Sequence, residues 1–179
     1  MEYISSENLI LIVMLIIHLM ILAVVTSNYF YLLKIHSTHL ISNQQPKLDI
    51  FIPARNEEHN IEQVVNSILQ SEYINYRILI LDDNSTDKTW QVVERFAKTN
   101  QKIELINGKT SPENWLGKNW ACHQLSQKSE SEFMLFIDAD VTLDRNAISF
   151  ALSLMQNKKV DLLSIFPTQN IKSFGEQLV

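Results

Sequence analysis

From Leu48 onward, short continuous apolar runs alternate with segments whose apolar residues recur every three or four positions. The runs are LDIFI at 48–52, RILIL at 77–81, IELI at 103–106, FMLFI at 133–137 and VDLLSIF at 160–166, and they predict strands. Between them the pattern predicts helices starting near Asn60, Thr86 and Asn119, and a fourth after FMLFI. In the first helix Ile61, Val64, Val65, Ile68 and Leu69 share one face behind a cap-box-like start at Asn60 and Gln63, and in the fourth Ala147, Phe150, Ala151 and Leu154 do the same. RILIL and FMLFI show no polar alternation, as expected of strands covered on both faces. The series predicts an α/β domain with a mostly parallel, Rossmann-like sheet.

The pattern before Leu48 is of another kind. Residues 8–33 carry no formal charge, and at ~1.5 Å per residue they exceed a hydrocarbon core of ~30 Å. Glu2 and Glu7 stand where a signal peptide would carry positive charge, so the expectation is a retained transmembrane anchor. Tyr29 and Tyr31 suit a membrane interface, while Lys34 and Lys47 follow the span and only acids precede it. The positive-inside rule then predicts a single-pass protein of the cell membrane whose following domain is cytoplasmic. His18, inside the span, reads as a helix-packing or tolerated histidine rather than a proton relay. Residues 34–47, ending with Pro46, read as a linker; His36 and His39 have a spacing that metals use, but no further ligands lie nearby, and a solvated turn is expected. The domain organisation is therefore an anchor at 8–33, a linker at 34–47 and an α/β domain over 48–179.

Composition narrows the function classes. The 179 residues carry a net charge of -5 with no cluster of Lys and Arg, which argues against nucleic acid as a partner. The single cysteine, Cys122, has no internal disulfide partner and is expected to pack inside a helix rather than act as a nucleophile.

In open α/β sheets ligands sit at the carboxyl ends of the strands. Three apolar runs end there in acids: Pro53-Ala54-Arg55-Asn56-Glu57 after the first, Asp82-Asp83-Asn84-Ser85-Thr86-Asp87 after the second, and Asp138-Ala139-Asp140 after the fourth. Residues two apart on extended chain project to the same side, so Asp138 and Asp140 place two like charges around one volume, which a hard divalent cation, Mg or Mn, would offset. Only Gly108, Gly117 and Gly175 are present, so there is no dinucleotide-binding G-x-G-x-x-G. Gly117-Lys118 looks like the end of a P-loop, yet Pro112 stands five before Gly117 and Asn119 replaces the magnesium-holding Ser or Thr. Asp138-Ala139-Asp140-Val141-Thr142 also resembles the nucleophile motif of haloacid-dehalogenase-like phosphatases, but that motif normally opens its domain, and Asp82 and Asp83 would have no role.

The four motifs PARNEE at 53–58, DDNSTD at 82–87, NWLGKNWA at 114–121 and DADVT at 138–142, in this order and spacing, resemble family 2 glycosyltransferases of the GT-A fold. Within the family, the WLGK-WAC-Q pattern and the tail SFGEQLV are most similar to enzymes that glycosylate membrane lipids in carotenoid-acid and hopanoid pathways. The resemblance implies a nucleotide-sugar donor, UDP-linked by first expectation, and metal-dependent, inverting transfer to a lipid or polyisoprenoid acceptor. It carries donor binding onto Pro53, Ala54, Arg55, Glu57, Asp83, Lys118 and Asp138: Glu57 near the nucleoside, Asp83 toward the base, Asp138 toward the ribose and Lys118 facing the diphosphate. Asp140 would hold the metal. Independently, a Gly-Lys pair opening a helix offers backbone N–H groups, a dipole end and an ammonium to an anion. Ser85 or Thr86 is expected to cap the second helix and Asp87 to favour its first turn; Trp115 and Trp120 either line the cleft or pack.

The same resemblance implies a general base downstream of Asp140. From Val160 to Val179 the only acids are Asp161 and Glu176, neither in the expected context. The expectation is that the catalytic base and the acceptor half lie beyond Val179. A catalytically inactive, membrane-tethered remnant or binding subunit is the alternative.

Overall fold

The computed structural model describes the backbone of residues 6–36, with side chains over 8–30, and residues 45–165. The chain divides into two units, an N-terminal helix and an α/β unit.

The helix α1 (Ser6–His36) is long and apolar enough over Asn8–Phe30 to cross a membrane. Two of its polar side chains bond within the helix. His18 Nδ1 donates to the Met14 carbonyl at 2.7 Å, and Thr26 Oγ1 donates to the carbonyls of Leu22 and Ala23. His18 is thus bonded within its own helix and exposed. The helix continues through His36, so the first residues assigned to the linker are helical. The side chains of Tyr31, Lys34 and His36, and the whole of His39, lie outside the described residues. The last part of that segment is docked on the α/β unit: Gln45 Oε1 accepts from Ile74 N, the Gln45 carbonyl from Asn75 Nδ2, and the Pro46 carbonyl from the Tyr73 hydroxyl.

The second unit runs β1 (Leu48–Ala54), α2 (Ile61–Leu69), β2 (Tyr76–Asp82), α3 (Thr89–Thr99), β3 (Ile103–Asn107), α4 (Gly117–Ser126), β4 (Phe133–Phe136) and α5 (Ala147–Lys158). All strands are parallel, in the order β3-β2-β1-β4. Strand alternation sends Ile50, Ile52, Ile78 and Ile80 to one face, against Ile61, Val64, Val65 and Ile68 of α2, Val92 and Val93 of α3, and Ile148 and Leu152 of α5. Phe51, Leu79 and Leu81 take the other face, under Ala121 and Leu125 of α4. At about 25 cal/mol per Å² of apolar surface, these fully enclosed side chains contribute on the order of 2 kcal/mol each.

Several expectations need correction. Asn60 does stand at the N-cap of α2, but no side-chain capping bond forms: Asn60 Nδ2 donates to Glu57 Oε2, and Gln63 reaches Thr142 instead. Among the described residues, FMLFI is covered on one face only. Met134 and Phe136 stay 53% and 44% exposed, because β4 is an edge strand and α4 covers β1 and β2. In α5 the face that docks is Ile148, Leu152 and Ser153, while Ala147, Phe150, Ala151 and Leu154 are half-buried. Two candidate stripes one residue apart differ by only ~100° of rotation, and the longer side chains Ile148 and Leu152 win the core. VDLLSIF forms no strand over its described residues 160–165. Strands need a hydrogen-bonding neighbour, none of the described residues supplies one there, and Leu162 is 86% exposed.

A buried carboxylate is built into the amino end of the sheet. Asp49, in the middle of an apolar run, is fully buried and receives Arg77 Nε and a second Arg77 guanidinium nitrogen at 3.1 and 3.0 Å, the Glu130 N–H at 2.8 Å and the Ser129 hydroxyl at 3.1 Å. Burial pushes its carboxyl pKa up, but the hydrogen bonds from Arg77 and Glu130 and the Arg77 charge outweigh it and hold the pKa down at about 2.

Candidate functional site

Because β1, β2 and β4 are parallel and adjacent, the loops leaving their carboxyl ends meet over one edge of the sheet. Between them opens a cleft of about 420 Å³ lined by Pro53, Ala54, Arg55 and Glu57 after β1, Asp83 after β2, Gly117, Lys118 and Ala121 of α4, and Asp138, Ala139 and Asp140 after β4. Every donor-site and metal-site position expected from the sequence lies on this lining. The carboxylates of residues 83 and 140 open into one shared cleft, not onto unrelated surfaces.

Two loops are clasped by side-chain bonds to backbone. Asn56 takes a left-handed conformation with φ 57°, which Asn tolerates better than most residues. Its Oδ1 accepts from Thr86 N at 2.8 Å and Thr86 Oγ1 at 3.2 Å, and its own N–H donates to Ser85 Oγ at 3.0 Å. Further along, Glu57 N donates to Thr89 Oγ1, Glu58 N to Asp87 Oδ2, and Lys88 N to Glu58 Oε2. Ser85 and Thr86 therefore bind the neighbouring loop rather than cap α3, which starts three residues later than Thr86. Asp87 does serve the start of α3: its Oδ1 accepts from both Thr89 N and Thr89 Oγ1. Burial works against the ionised Asp87 carboxylate, but these bonds prevail and lower its pKa.

The tandem acids split. Asp83 faces the cleft, whereas Asp82 is buried on the opposite side of the strand with Oδ2 accepting from Ser85 N. Gly108 holds this arrangement from behind. Its N–H donates to the Asp82 carbonyl at 2.9 Å, and a Cβ there would lie 2.8 Å from that oxygen and 3.2 Å from Asp83 Cα. A lone glycine two residues past an apolar run was the one available sequence signal for this close approach.

Asp138 and Asp140 leave β4 in a turn rather than on extended chain, closed by Val141 N donating to the Asp138 carbonyl at 3.2 Å. Alternation survives the turn: Ile137 and Ala139 are buried in the core, and both acids face the cleft. Lys118 Nζ meets Asp138 Oδ1 at 2.7 Å, and Arg55 meets Asp83 Oδ2 at 3.6 Å. The hydrogen bond that Lys118 donates to Asp138 raises the Lys118 pKa, so Lys118 is a firmly charged ammonium in the first turn of α4. Its pair is open to water, with side chains 63% and 54% exposed, and can exchange partners when an anion arrives. Gly117 and Lys118 thus bring a helix N-terminus, free N–H groups and a positive charge to the cleft.

No group of three or more His, Cys, Asp or Glu side chains suited to a metal occurs among the described residues. Asp138 and Asp140 nonetheless fit a hard cation that takes one or two carboxylates and completes its shell with water and phosphate oxygens, the usual magnesium arrangement. Trp115 and Trp120 are not on the lining. They pack edge to face at 5.2 Å, and Trp120 stacks on His123 at 5.4 Å. Cys122 is half-buried, and burial pushes its thiol pKa up, which opposes nucleophilic use.

Comparison with known proteins agrees with this geometry. Residues 49–176 match the family described as Glycosyl transferase family 2. The 4,4'-diaponeurosporenoate glycosyltransferase of Staphylococcus aureus (strain N315) is 30% identical over 141 residues, covering 78% of this chain and 36% of that protein. The beta-monoglucosyldiacylglycerol synthase of Nostoc sp. is 29% identical over 132 residues, covering 73% of this chain and 28% of that protein. The chain thus spans about a third of the length of these curated relatives. Among solved structures, the mannosyltransferase PcManGT from Pyrobaculum calidifontis, in complex with GDP-Man and Mn2+, superposes with a TM-score of 0.57 at 19% identity, over 73% of this chain and 39% of that one. Staphylococcus aureus TarS 1-349 in complex with UDP-GlcNAc gives 0.51 at 22% identity, over 71% of this chain and 38% of that one. At these identities the likeness concerns the fold, which is of the GT-A kind.

Proposed function

The chain belongs to glycosyl transferase family 2, and we propose that its cleft binds a nucleotide-diphosphate sugar, UDP-linked by preference, for metal-dependent, inverting transfer to a membrane lipid or polyisoprenoid acceptor. The observation that carries this reading is the convergence of the loops after β1, β2 and β4 with the N-terminus of α4 on one cleft. Family membership removes the phosphatase reading of Asp138, which is paired to Lys118.

In this proposal Pro53, Ala54, Arg55 and Glu57 form the nucleoside wall, Asp83 faces the base and Asp138 the ribose. Asp140 would hold Mn or Mg, which when bound supplies positive charge beside the diphosphate. Lys118 and the N–H groups opening α4 bind the phosphate oxygens. In the transfer step an acceptor oxygen forms a bond to the anomeric carbon as the bond to the β-phosphate oxygen breaks. The acceptor's proton leaves to a base, and the nucleoside diphosphate departs with both electrons. Unit charges ~4 Å apart at an effective dielectric near 20 interact by about 4 kcal/mol, so Lys118 is well placed to hold the negative charge that grows on the leaving group.

We assign the 8–33 segment as a single-pass anchor in the cell membrane, with the domain over 48–179 on the cytoplasmic side; the length and composition of α1 and the lysines at 34 and 47 support this. The alternative, second reading is a donor-binding, non-catalytic subunit; among the described residues, the carboxylates lining the cleft are those to which the proposal gives donor or metal roles. Titration of UDP with and without Mn separates an intact donor site from a decayed one. Robust sugar transfer by the purified 179-residue chain would refute the second reading, and metal-independent or absent UDP binding would refute the first.

A further inference from the structure

Two tryptophans five residues apart are treated differently by the fold. Trp120 is half-buried, and its Nε1 donates to the Lys109 carbonyl at 2.9 Å. Trp115 is 41% exposed, and among the described residues nothing accepts from its Nε1. Leu116, beside it, is 73% exposed. This tip is braced rather than loose. Asn114 turns the chain with φ 73°, Trp115 N donates to the Pro112 carbonyl, Ser111 Oγ donates to the Trp115 carbonyl, and the Trp115 ring rests on Trp120 and His123 at 5.2 and 4.9 Å. The next two residues, Gly117 and Lys118, line the cleft.

We propose that Trp115 and Leu116 form a membrane-interface contact that seats the rim of the cleft on the lipid surface. This rests on the reading of α1 as a membrane span. The chemistry favours lipid over other occupants. A large apolar ring with a free N–H suits the headgroup and acyl boundary, where one end of the group meets hydrocarbon and the other finds phosphate or carbonyl oxygens. Of the nearby charges, Lys118 is paired with Asp138 while Lys109 and Glu113 offset each other, so the contact works by insertion of apolar surface and not by attraction to anionic headgroups. A span within the same chain also keeps the domain close to a bilayer, since residues 37–47 reach no more than ~3.6 Å each, about 40 Å together. The tether raises the effective concentration of the whole domain at the lipid surface, and the exposed tip supplies the apolar contact.

The test uses the full chain reconstituted in phosphatidylcholine vesicles containing phosphatidylglycerol. A nitroxide is attached at Leu116→Cys or, as a control, at Ile74→Cys, each in a Cys122→Ala background. Ile74 is nearly as exposed as Leu116, at 67%, but lies at the amino end of β2. The expected result is that the probe at 116 collides more with oxygen than with a water-soluble nickel chelate, the probe at 74 shows the reverse order, and raising the salt leaves both unchanged. Quenching of tryptophan fluorescence by brominated lipid should fall in Trp115→Phe. Equal nickel accessibility at both positions overturns the docking, as does protection at 116 that disappears on dilution, which would mean a second copy covers it. Release of the chain by alkaline carbonate overturns the span on which the proposal rests, and so distinguishes that failure from the other.

Discussion

Two acid–base pairs join the same sheet to opposite purposes. At its amino end Asp49 is fully buried and bound on both oxygens by Arg77, whose side chain is only a quarter exposed. At its carboxyl end Asp138 meets Lys118 through one contact, with both side chains more than half exposed. The first pair is saturated with partners and solvent-shielded, so it belongs to the fold. The second has spare hydrogen-bonding capacity and water access, so it remains available to a ligand. A charge pair reveals its role through its burial and its remaining valences rather than through its distance alone.

The sharpest way to break this contrast is to remove one partner from each pair. Asp49→Ala leaves Arg77 without its main counter-charge and is expected to cost about 3–5 kcal/mol, read as a lower urea midpoint. Lys118→Ala should change stability by less than about 1 kcal/mol in the same measurement. Next in size is a pH effect. The folded Asp49 pKa lies below its unfolded value, so the pair's contribution is present above the ordinary carboxylate pKa and is lost as pH falls from about 4 to about 2. Denaturation midpoints across that window should drop by roughly 2 kcal/mol equivalent in the native sequence, and the drop should flatten in Asp49→Asn.

Smaller effects belong to the open end. Lys118→Ala and Asp140→Ala are each expected to weaken Mn-dependent UDP binding about tenfold or more, on the order of 1.4 kcal/mol or above, with the urea midpoint unchanged; calorimetric titration measures the first and denaturation the second. Smallest is the loop clasp. Asn56→Gly keeps the left-handed backbone and deletes the acceptor shared by Thr86 N and Oγ1, so UDP affinity should fall by about 0.5–1.5 kcal/mol. Asn56→Asp, which keeps an acceptor in place, should restore the clasp as judged by hydrogen exchange at the Thr86 amide.

What the sequence determined by itself was the local and the repeated. Apolar runs and helical spacing located four parallel strands and four helices of the α/β unit, since burial on one or both faces writes its period directly into the chain. The polar residues following the runs identified the cleft lining, because a parallel sheet brings its carboxyl ends together whatever the details. Only the tertiary structure decided which face of β4 stays open, which stripe of α5 docks, that residues 160–165 find no strand to pair with among the described residues, and that Ser85 and Thr86 bind Asn56 in place of capping α3. Each of these depends on a neighbour distant in sequence. A residue's pattern states what it must bury or bond, but the partner that satisfies it is chosen by the packing of the whole unit.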